Sequence, residues 1–167
     1  MVIFLGIGTN LGDREANIRT ALQLLHDCVG ECIACSSIYR SAPQGFASEN
    51  EFANVVVVCR TDHSPEEVLL ITQQIEREMG RTEKSVNGVY HDRVIDIDLL
   101  QAGIRSRESG SMNQETGIGN RESGIQTQVE CNTDTLTLPH PRMHERDFVL
   151  IPLREVEAIL QSLTYNL

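Results

Sequence analysis

The chain has 167 residues, of which 40% are hydrophobic, and its 24 acidic and 14 basic residues give a formal net charge of -10. This length fits one domain with its own core, and the 4% of aromatic residues leave Val, Ile and Leu to build it. The charge disfavours nucleic acid as a partner, and no apolar stretch approaches the ~20 residues of a membrane span. We therefore expect a cytoplasmic protein, with no nucleic-acid or membrane partner and a monomer as the default state.

The first half of the chain alternates predicted strands with a helix. An apolar run at 2–7 predicts a strand, and a Gly-rich turn follows it. Asp13 is a suitable N-cap for the next segment, whose apolar residues recur at helical spacing. A second strand is predicted at 33–39, and a third, rich in β-branched residues, at 53–59.

The second half supplies another helix, another strand and a C-terminal helix. Ser64 begins a capping box that predicts the start of a helix, and Gly80 predicts its end. The segment 94–100 alternates apolar and acidic residues as a strand does. We expect a C-terminal helix at 148–163, interrupted at Pro152. The order βαββαβ predicts an α+β, ferredoxin-like sheet with helices packed on it, plus the C-terminal helix.

One segment is unlike the rest of the single domain predicted over 1–167. Three copies of one heptad fill 106–112, 113–119 and 120–126, but each copy has a central Gly and at most one large apolar residue. Such repeats offer no coiled-coil seam and little apolar surface to offset the entropy of ordering. We interpret 104–132 as a low-complexity insertion, expect it to be disordered, and assign it no part in the chemistry.

The five cysteines are an odd number, which argues against a disulfide framework. Cys28, Cys32 and Cys35 have the spacing that radical-type iron–sulfur enzymes use. That reading is disfavoured because a strand would send Cys32 and Cys35 to opposite faces, and because the chain is too short for the barrel of such enzymes. We interpret the cysteines as free thiols.

Two acidic residues in the last predicted strand are the first candidate for chemistry. Asp96 and Asp98 would share one face of the strand, while Ile95, Ile97 and Leu99 point into the opposite, apolar layer. Two adjacent carboxylates repel each other unless a cation lies between them, and a hard divalent metal suits their oxygen atoms. A solvated acidic face remains the alternative, since an isolated Asp-x-Asp motif is weak.

Basic residues surround this acidic pair in the sequence. Arg93 precedes the pair, and Arg81 and Lys84 follow the end of the second helix. A later loop adds two more candidates. His140 lies between two prolines that stiffen the backbone, and Arg146 follows them. These cations would suit the phosphates of a nucleotide. Alternatively, Arg81 and Lys84 are ordinary charges at a helix end.

His140 and His144 could instead form half of a zinc site, because they are four residues apart. Pro141 lies between them, however, and the cysteines are too distant in sequence to be assumed partners. We therefore favour the phosphate-binding reading of this loop.

Six motifs in order resemble one known family. They are Gly8-x-Asn-Leu-Gly12, Tyr39-Arg40 with Pro43 and Gly45, Phe52-x-Asn54, Glu76 with Gly80-Arg81, Arg93-x-x-Asp-x-Asp98, and Pro139-His-Pro-Arg-x-x-x-Arg146-x-Phe148. Together they resemble the 6-hydroxymethyl-7,8-dihydropterin pyrophosphokinases of folate biosynthesis. The resemblance covers residues 1 to about 157, apart from the insertion. It implies a ferredoxin-like fold, ATP with two magnesium ions, and AMP as a product.

The resemblance also implies roles for individual residues. Asp96 and Asp98 would be the metal ligands, and Arg81 and Arg93 would lie on loops that close over the phosphates. Further contacts to ATP would come from Glu76, Lys84, His140 and Arg146. The pterin would be bound by Ser41, Phe52, Asn54, Tyr90 and Phe148.

Two alternatives to an active pyrophosphokinase stay open. An inactive ferredoxin-like relative would bind nucleotide or pterin without turnover. A metal-dependent nucleotidyl or glycosyl transferase that used the Asp-x-Asp pair would release pyrophosphate or a nucleoside diphosphate instead of AMP.

Overall fold

The computed structural model describes residues 1–81, 91–104 and 127–165. Its strands are β1 Val2–Thr9, β2 Glu31–Cys35, β3 Tyr39–Ser41, β4 Phe52–Arg60, β5 Asp96–Ile104, β6 Thr127–Val129, β7 Cys131–Asn132 and β8 Thr137–Leu138. Its α-helices are α1 Arg14–Cys28, α2 Pro65–Glu78 and α3 Asp147–Tyr165, and a 3-10 turn covers Met143–Glu145. Lys84 and Tyr90, both predicted site residues, lie outside the described residues.

The strands form one antiparallel sheet and a small hairpin. The order in the sheet is β2-β4-β1-β5-β6, with β3 also paired to β4, while β7 and β8 pair with each other. Every pair is antiparallel. The fold is therefore a mixed α and β structure with a C-terminal helix, as predicted.

Both faces of the sheet are covered by helices. On one face, α1 and α2 bury residues such as Leu25 and Ile75 against Leu5 of the central strand. On the other, α3 packs Leu153 against Phe4 and its neighbours. The central strands are apolar on both sides because both sides are buried. In the described ranges, no helix is both long and apolar enough to cross a membrane.

The two predicted helix starts are confirmed. The Asp13 carboxylate accepts a hydrogen bond from the Ala16 backbone N at 3.0 Å. Ser64 and Glu67 form the complete capping box, with reciprocal side-chain to backbone hydrogen bonds of 3.2 and 2.8 Å.

The predicted second strand is in fact two short strands. A register shift between Cys32 and Ala34 disrupts β2, and β3 begins only at Tyr39. The shift pairs Cys32 with Cys59 and Cys35 with Val57. Both partners belong to the core on the α1 and α2 side. The expectation that Cys32 and Cys35 point to opposite faces is therefore wrong, because a bulge adds a residue to the count between them.

The expected interruption of the C-terminal helix at Pro152 is also wrong. Helix α3 continues through Pro152 to its last turn. This proline lies in the second turn, where it removes the single hydrogen bond to the carbonyl four residues earlier. Val149, Leu153 and Val156 are buried against the sheet on either side of it, and this packing offsets the lost bond.

The predicted insertion, 104–132, has structured ends. Ile104 is the last residue of β5, and the segment from Thr127 to Val129 pairs with β5. Cys131–Asn132 forms the hairpin with β8. Val129 packs against the main core, which gives this end of the segment an apolar anchor. The heptad copies at 106–126 lie outside the described residues.

We predict that Gly30→Ala is strongly destabilising. Gly30 has φ +145, and a Cβ atom there would lie 2.2 Å from the carbonyl oxygen of Arg60. Strain and overlap together should lower the free energy of unfolding by about 3 kcal/mol. Gly12→Ala is the control, because Gly12 has φ +66 with no atom near the added Cβ and should cost about 1 kcal/mol. Equal losses in urea unfolding would contradict this account.

Candidate active site

Two glycines on the central strand open a cavity in the sheet face that α3 covers elsewhere. In the sheet, Gly8 is paired with Asp96 on one side and Asn54 on the other, and Gly6 is paired with Asp98. A Cβ atom on Gly8 would lie 3.2 Å from the Asn54 Oδ1 atom. Because glycine has no side chain, a cavity of about 620 Å³ lies above these positions.

The two acidic residues of β5 point into this cavity. Solvent reaches 22% of the Asp96 side chain and 43% of the Asp98 side chain. Behind them, Ile95, Ile97 and Leu99 are buried in the core on the other face. The prediction that the carboxylates share one face and the apolar residues the other is confirmed.

Two arginines bind the first carboxylate. Arg81 Nη1 donates to one oxygen of Asp96, and Arg93 Nη1 donates to the other at 2.7 Å. Arg81 Nη1 also pairs with the buried carboxylate of Glu76, which accepts a further hydrogen bond from the Ile97 backbone N at 2.7 Å. Helix α2, the segment after it and β5 are therefore joined by one charged network.

The carboxylates of this network differ in how well their charge is compensated. Burial raises the pKa of Glu76 even though Arg81 opposes the shift. Partial desolvation and the neighbouring Asp96 carboxylate raise the pKa of Asp98 above its usual range. Arg146 opposes that shift only from 4.0 Å. A cation beside Asp98 would therefore favour its charged form.

The donor set suits magnesium carried by a polyphosphate. Among residues 1–81, 91–104 and 127–165, no three His, Cys, Asp or Glu side chains converge to hold a metal. Magnesium commonly takes one or two carboxylates and completes its shell with water and substrate phosphates. Asp96 and Asp98 offer that number of carboxylates, whereas a zinc site needs more protein ligands.

A basic loop forms the far side of the cavity. The backbone N of His140 donates to the Leu100 carbonyl oxygen at 2.7 Å, which ties the loop to β5. The Arg142 backbone N donates to His140 Nδ1 at 3.2 Å. Burial, with Arg146 and Arg142 nearby, lowers the pKa of His140. The imidazole is therefore held neutral, with two guanidinium groups beside it.

The opposite end of the cavity presents a fixed amide. Asn54 is buried on β4, and its Nδ2 atom donates to the Tyr39 carbonyl oxygen at 3.2 Å and to Ser41 Oγ at 3.0 Å. These bonds to β3 fix the orientation of the amide plane. A buried polar group held in this way can recognise the edge of a flat heterocycle.

Aromatic rings line the cavity between its polar ends. Phe46 packs edge-on against Phe52 with ring centroids 6.2 Å apart. The Arg93 guanidinium lies 5.5 Å from the Phe52 ring centroid, and that of Arg146 lies 5.7 Å from the ring of Phe148. The rings can therefore stack on a planar ligand while remaining in contact with the arginines.

The cavity brings together all predicted site residues that the structure describes. They are Ser41, Phe52, Asn54, Glu76, Arg81, Arg93, Asp96, Asp98, His140, Arg146 and Phe148. Phe46 and Arg142 also line it. The sequence predicted no role for Phe46, and for Arg142 it predicted only a contribution to the positive charge of the loop around His140.

A second polar network that the sequence did not predict holds the loop before β4. The Asp92 carboxylate accepts from Asn10 Nδ2 at 2.6 Å and from Asn50 Nδ2 at 2.8 Å. Asn10 Oδ1 accepts from the Arg93 backbone N at 2.8 Å. Asn10 therefore joins the end of β1 to the segment before β5. Its partners are 82 and 83 residues away in the sequence, so no local pattern predicts these contacts.

Comparison with known proteins identifies the family of this chain. The family model described as 7,8-dihydro-6-hydroxymethylpterin-pyrophosphokinase matches residues 4–158. The chain belongs to this family. The 2-amino-4-hydroxy-6-hydroxymethyldihydropteridine pyrophosphokinase of Porphyromonas gingivalis is 39% identical over 155 residues, covering 93% of this chain and 90% of its own length. That of Bacillus subtilis is 36% identical over 156 residues, covering 93% and 77%.

Solved structures agree with this family at the level of the fold. An HPPK-DHPS crystallised in complex with substrates aligns with a TM-score of 0.59 and 17% identity. The Plasmodium falciparum HPPK-DHPS with pteroate aligns with a TM-score of 0.58 and 16% identity. Each alignment covers 93% of this chain, which spans only 40% and 38% of those longer chains. Family membership makes the chain an ATP-dependent diphosphotransferase of folate biosynthesis.

We predict that Asn10→Ala lowers the free energy of unfolding by about 2 kcal/mol, because it leaves a part-buried backbone N–H of Arg93 and the Asp92 carboxylate without this partner. Asn50→Ala is the matched control. Asn50 is exposed and contributes one of the bonds to Asp92, so its loss should be about 0.5 kcal/mol or less. Chemical denaturation of both variants measures the difference, and a larger loss for Asn50→Ala would refute the central role of Asn10.

Proposed function

We propose that this chain transfers diphosphate from ATP to 6-hydroxymethyl-7,8-dihydropterin, and that both substrates bind in the one cavity. The observation that carries the proposal is that the acidic and basic cluster around Asp96 and the amide and rings around Asn54 open into the same space. A phosphate bound at one end can then meet a hydroxymethyl group bound at the other. The products are AMP and the pterin diphosphate.

At the phosphate end, Asp96 and Asp98 would hold two magnesium ions. When bound, the metals act as Lewis acids that neutralise charge on the phosphates and activate the attacking hydroxyl. Arg81 and Arg93 both bind Asp96. We propose that these guanidinium groups move to phosphate oxygens when the nucleotide arrives, since phosphate offers them the same charge-assisted, forked hydrogen bonds.

Other residues would complete the ATP site. His140 and Arg146 line the cavity on the side of the basic loop and can reach a nucleotide lying across β5. Glu76 is buried and binds Arg81 and the Ile97 backbone N, which supports a role in positioning the arginine. Lys84 lies outside the described residues, and its contact with ATP stays a prediction.

At the pterin end, the Asn54 amide would hydrogen-bond the heterocycle. Ser41 supports that amide at 3.0 Å. The rings of Phe52 and Phe148 line the same cavity and would stack on the two faces of the pterin. Tyr90 lies outside the described residues, and its part in this slot stays a prediction.

The reaction itself requires positioning more than covalent help. The hydroxymethyl oxygen attacks the β-phosphorus of ATP and releases its proton to solvent as the new O–P bond forms. The bond from that phosphorus to the oxygen bridging to the α-phosphate breaks. AMP leaves with the bridging oxygen. Alignment of the two substrates and neutralisation of charge by Arg81 and Arg93 supply most of the catalysis expected for such a transfer.

The strand order supports a ferredoxin-like core. The order β2-β4-β1-β5, with α1 and α2 packed on one face, is what a βαββαβ unit gives when its two halves interleave. We also propose the cytoplasm as the compartment. The five cysteines are free, as expected where thiols stay reduced.

The direct test is AMP formation from ATP and magnesium with the purified chain, with and without the dihydropterin. We expect AMP only when the pterin is present. AMP released equally without pterin would indicate a hydrolase, and pterin binding without AMP would indicate an inactive relative.

We predict that Asp98→Asn lowers kcat by at least ~1,000-fold, because an amide replaces a charged ligand of the proposed metal site. Asp62→Asn is the control, since Asp62 is exposed on the loop before α2 and should leave kcat unchanged. Thermal unfolding of both variants separates a catalytic loss from unfolding. Near-normal turnover by folded Asp98→Asn would exclude the assignment of this ligand.

We predict that substitutions at the two ends of the cavity affect different substrates. Asn54→Ala should raise KM for the pterin by about 10-fold to 100-fold, as the loss of a buried hydrogen bond implies, and should leave KM for ATP within about 2-fold. Arg146→Ala should do the reverse. The steady-state KM of each variant for each substrate is the measurement, and a pattern in which both variants weaken the same substrate would contradict the division of the cavity.

A further inference from the structure

Two cysteines face each other across neighbouring strands, away from the cavity. Cys32 of β2 is paired with Cys59 of β4, and their Sγ atoms are 3.2 Å apart. An S–S bond is about 2.0 Å long. The Cβ–Cβ distance that a disulfide requires is close to the distance between directly opposed residues on neighbouring strands. Closing the remaining gap needs a small rotation of the two side chains and leaves the sheet register intact.

The two thiols have different surroundings. Cys59 is fully buried on the central part of the sheet, whereas Cys32 is half-buried on the outer strand. His26 lies beside Cys32, with its Nδ1 atom 3.4 Å from the Cys32 backbone N. The hydrogen bond between the two thiols lowers the pKa of Cys32 to about 7. His26 also lowers this pKa, whereas desolvation opposes the shift. The same hydrogen bond raises the pKa of Cys59.

We propose that Cys32 and Cys59 form a redox-active dithiol that a peroxide oxidises to an intrachain disulfide. Cys32 attacks first, because it is the more accessible thiol and the one whose anion is stabilised. Its thiolate displaces hydroxide from hydrogen peroxide and becomes a sulfenic acid. The Cys59 sulfur then attacks the Cys32 sulfur and displaces water. Overall, two thiols and one peroxide give one disulfide and two waters.

This site is separate from the active site. Cys59 is five residues along β4 from Asn54, a separation of roughly 17 Å at the rise of an antiparallel strand. Oxidation would link the outer strand β2 covalently to β4, within the same sheet that carries the cavity. Neither sulfur lies among the residues that line the cavity.

Cys35 offers a matched control on the same strand. It is an exposed residue, but desolvation of its thiol, with Cys32 and Glu155 nearby, raises its pKa to about 11. Its thiol therefore stays protonated near neutral pH. We expect iodoacetamide at pH 7 to alkylate Cys32 at least ~10-fold faster than Cys35.

The decisive experiment treats the full reduced chain with an equivalent of hydrogen peroxide and maps peptides without reduction. We expect a peptide pair linked through Cys32 and Cys59, lighter by two hydrogen atoms, in a chain that remains free of intermolecular links. A link between any other pair of cysteines, or sulfenic acid that persists at Cys32 of the unsubstituted chain, would overturn the proposal.

Variants separate the roles of the two thiols. With Cys59→Ala, the Cys32 sulfenic acid should persist and be trapped by dimedone, whereas with Cys32→Ala the dimedone adduct should be lost from both positions. Cys35→Ala should form the Cys32–Cys59 link as the unsubstituted chain does. Dimedone capture at Cys59 in Cys32→Ala would contradict the assigned order. If Cys59→Ala does not fold, the peptide map of the unsubstituted chain decides the question by itself.

Discussion

The register of β1 between β4 and β5 is the constraint on which the site depends. It brings Gly8 level with Asp96 of β5 and Asn54 of β4, so one residue from each neighbouring strand lies beside a position that has no side chain. Along the same face, Phe4 fills the equivalent space and is packed by α3. On this face of β1, the packed core at Phe4 is therefore followed by the cavity at Gly6 and Gly8. A shift of one residue would turn the carboxylates into the α1 and α2 core.

Charge at the site is balanced locally, in contrast to the acidic protein as a whole. The net charge of -10 would repel a polyphosphate on average, yet Arg81, Arg93 and Arg146 are concentrated around one opening. Asp96 holds two of these arginines close to the position where phosphates would lie. The same carboxylate that would bind metal in the complex therefore orients the cations before the substrate arrives.

Local rules predicted the features that depend on neighbours in sequence. The alternation of residues along β5 predicted that Asp96 and Asp98 share one face. The Ser64 capping box predicted where α2 begins. In each case the interacting groups are separated by a few residues, so the pattern is visible in the sequence itself.

The features that were missed depend on contacts between distant residues. The bulge after Cys32 reflects pairing with β4, and the continuity of α3 through Pro152 reflects packing on the sheet. The links from Asn10 to Asp92 and Arg93 join loops more than eighty residues apart. Phe46, in the loop before β4, lines the cavity and packs edge-on against Phe52. None of these contacts leaves a periodic signal in the chain.

In the proposed mechanism, one cavity holds the phosphates at the Asp96 end and the pterin at the Asn54 end. A crystal structure with magnesium, a non-hydrolysable ATP analogue and the dihydropterin tests it most directly. We expect metal ions on Asp96 and Asp98, Arg81 and Arg93 on phosphate oxygens, and the heterocycle hydrogen-bonded to Asn54. Metal ions or a heterocycle bound outside this cavity, with both arginines still on Asp96, would contradict it.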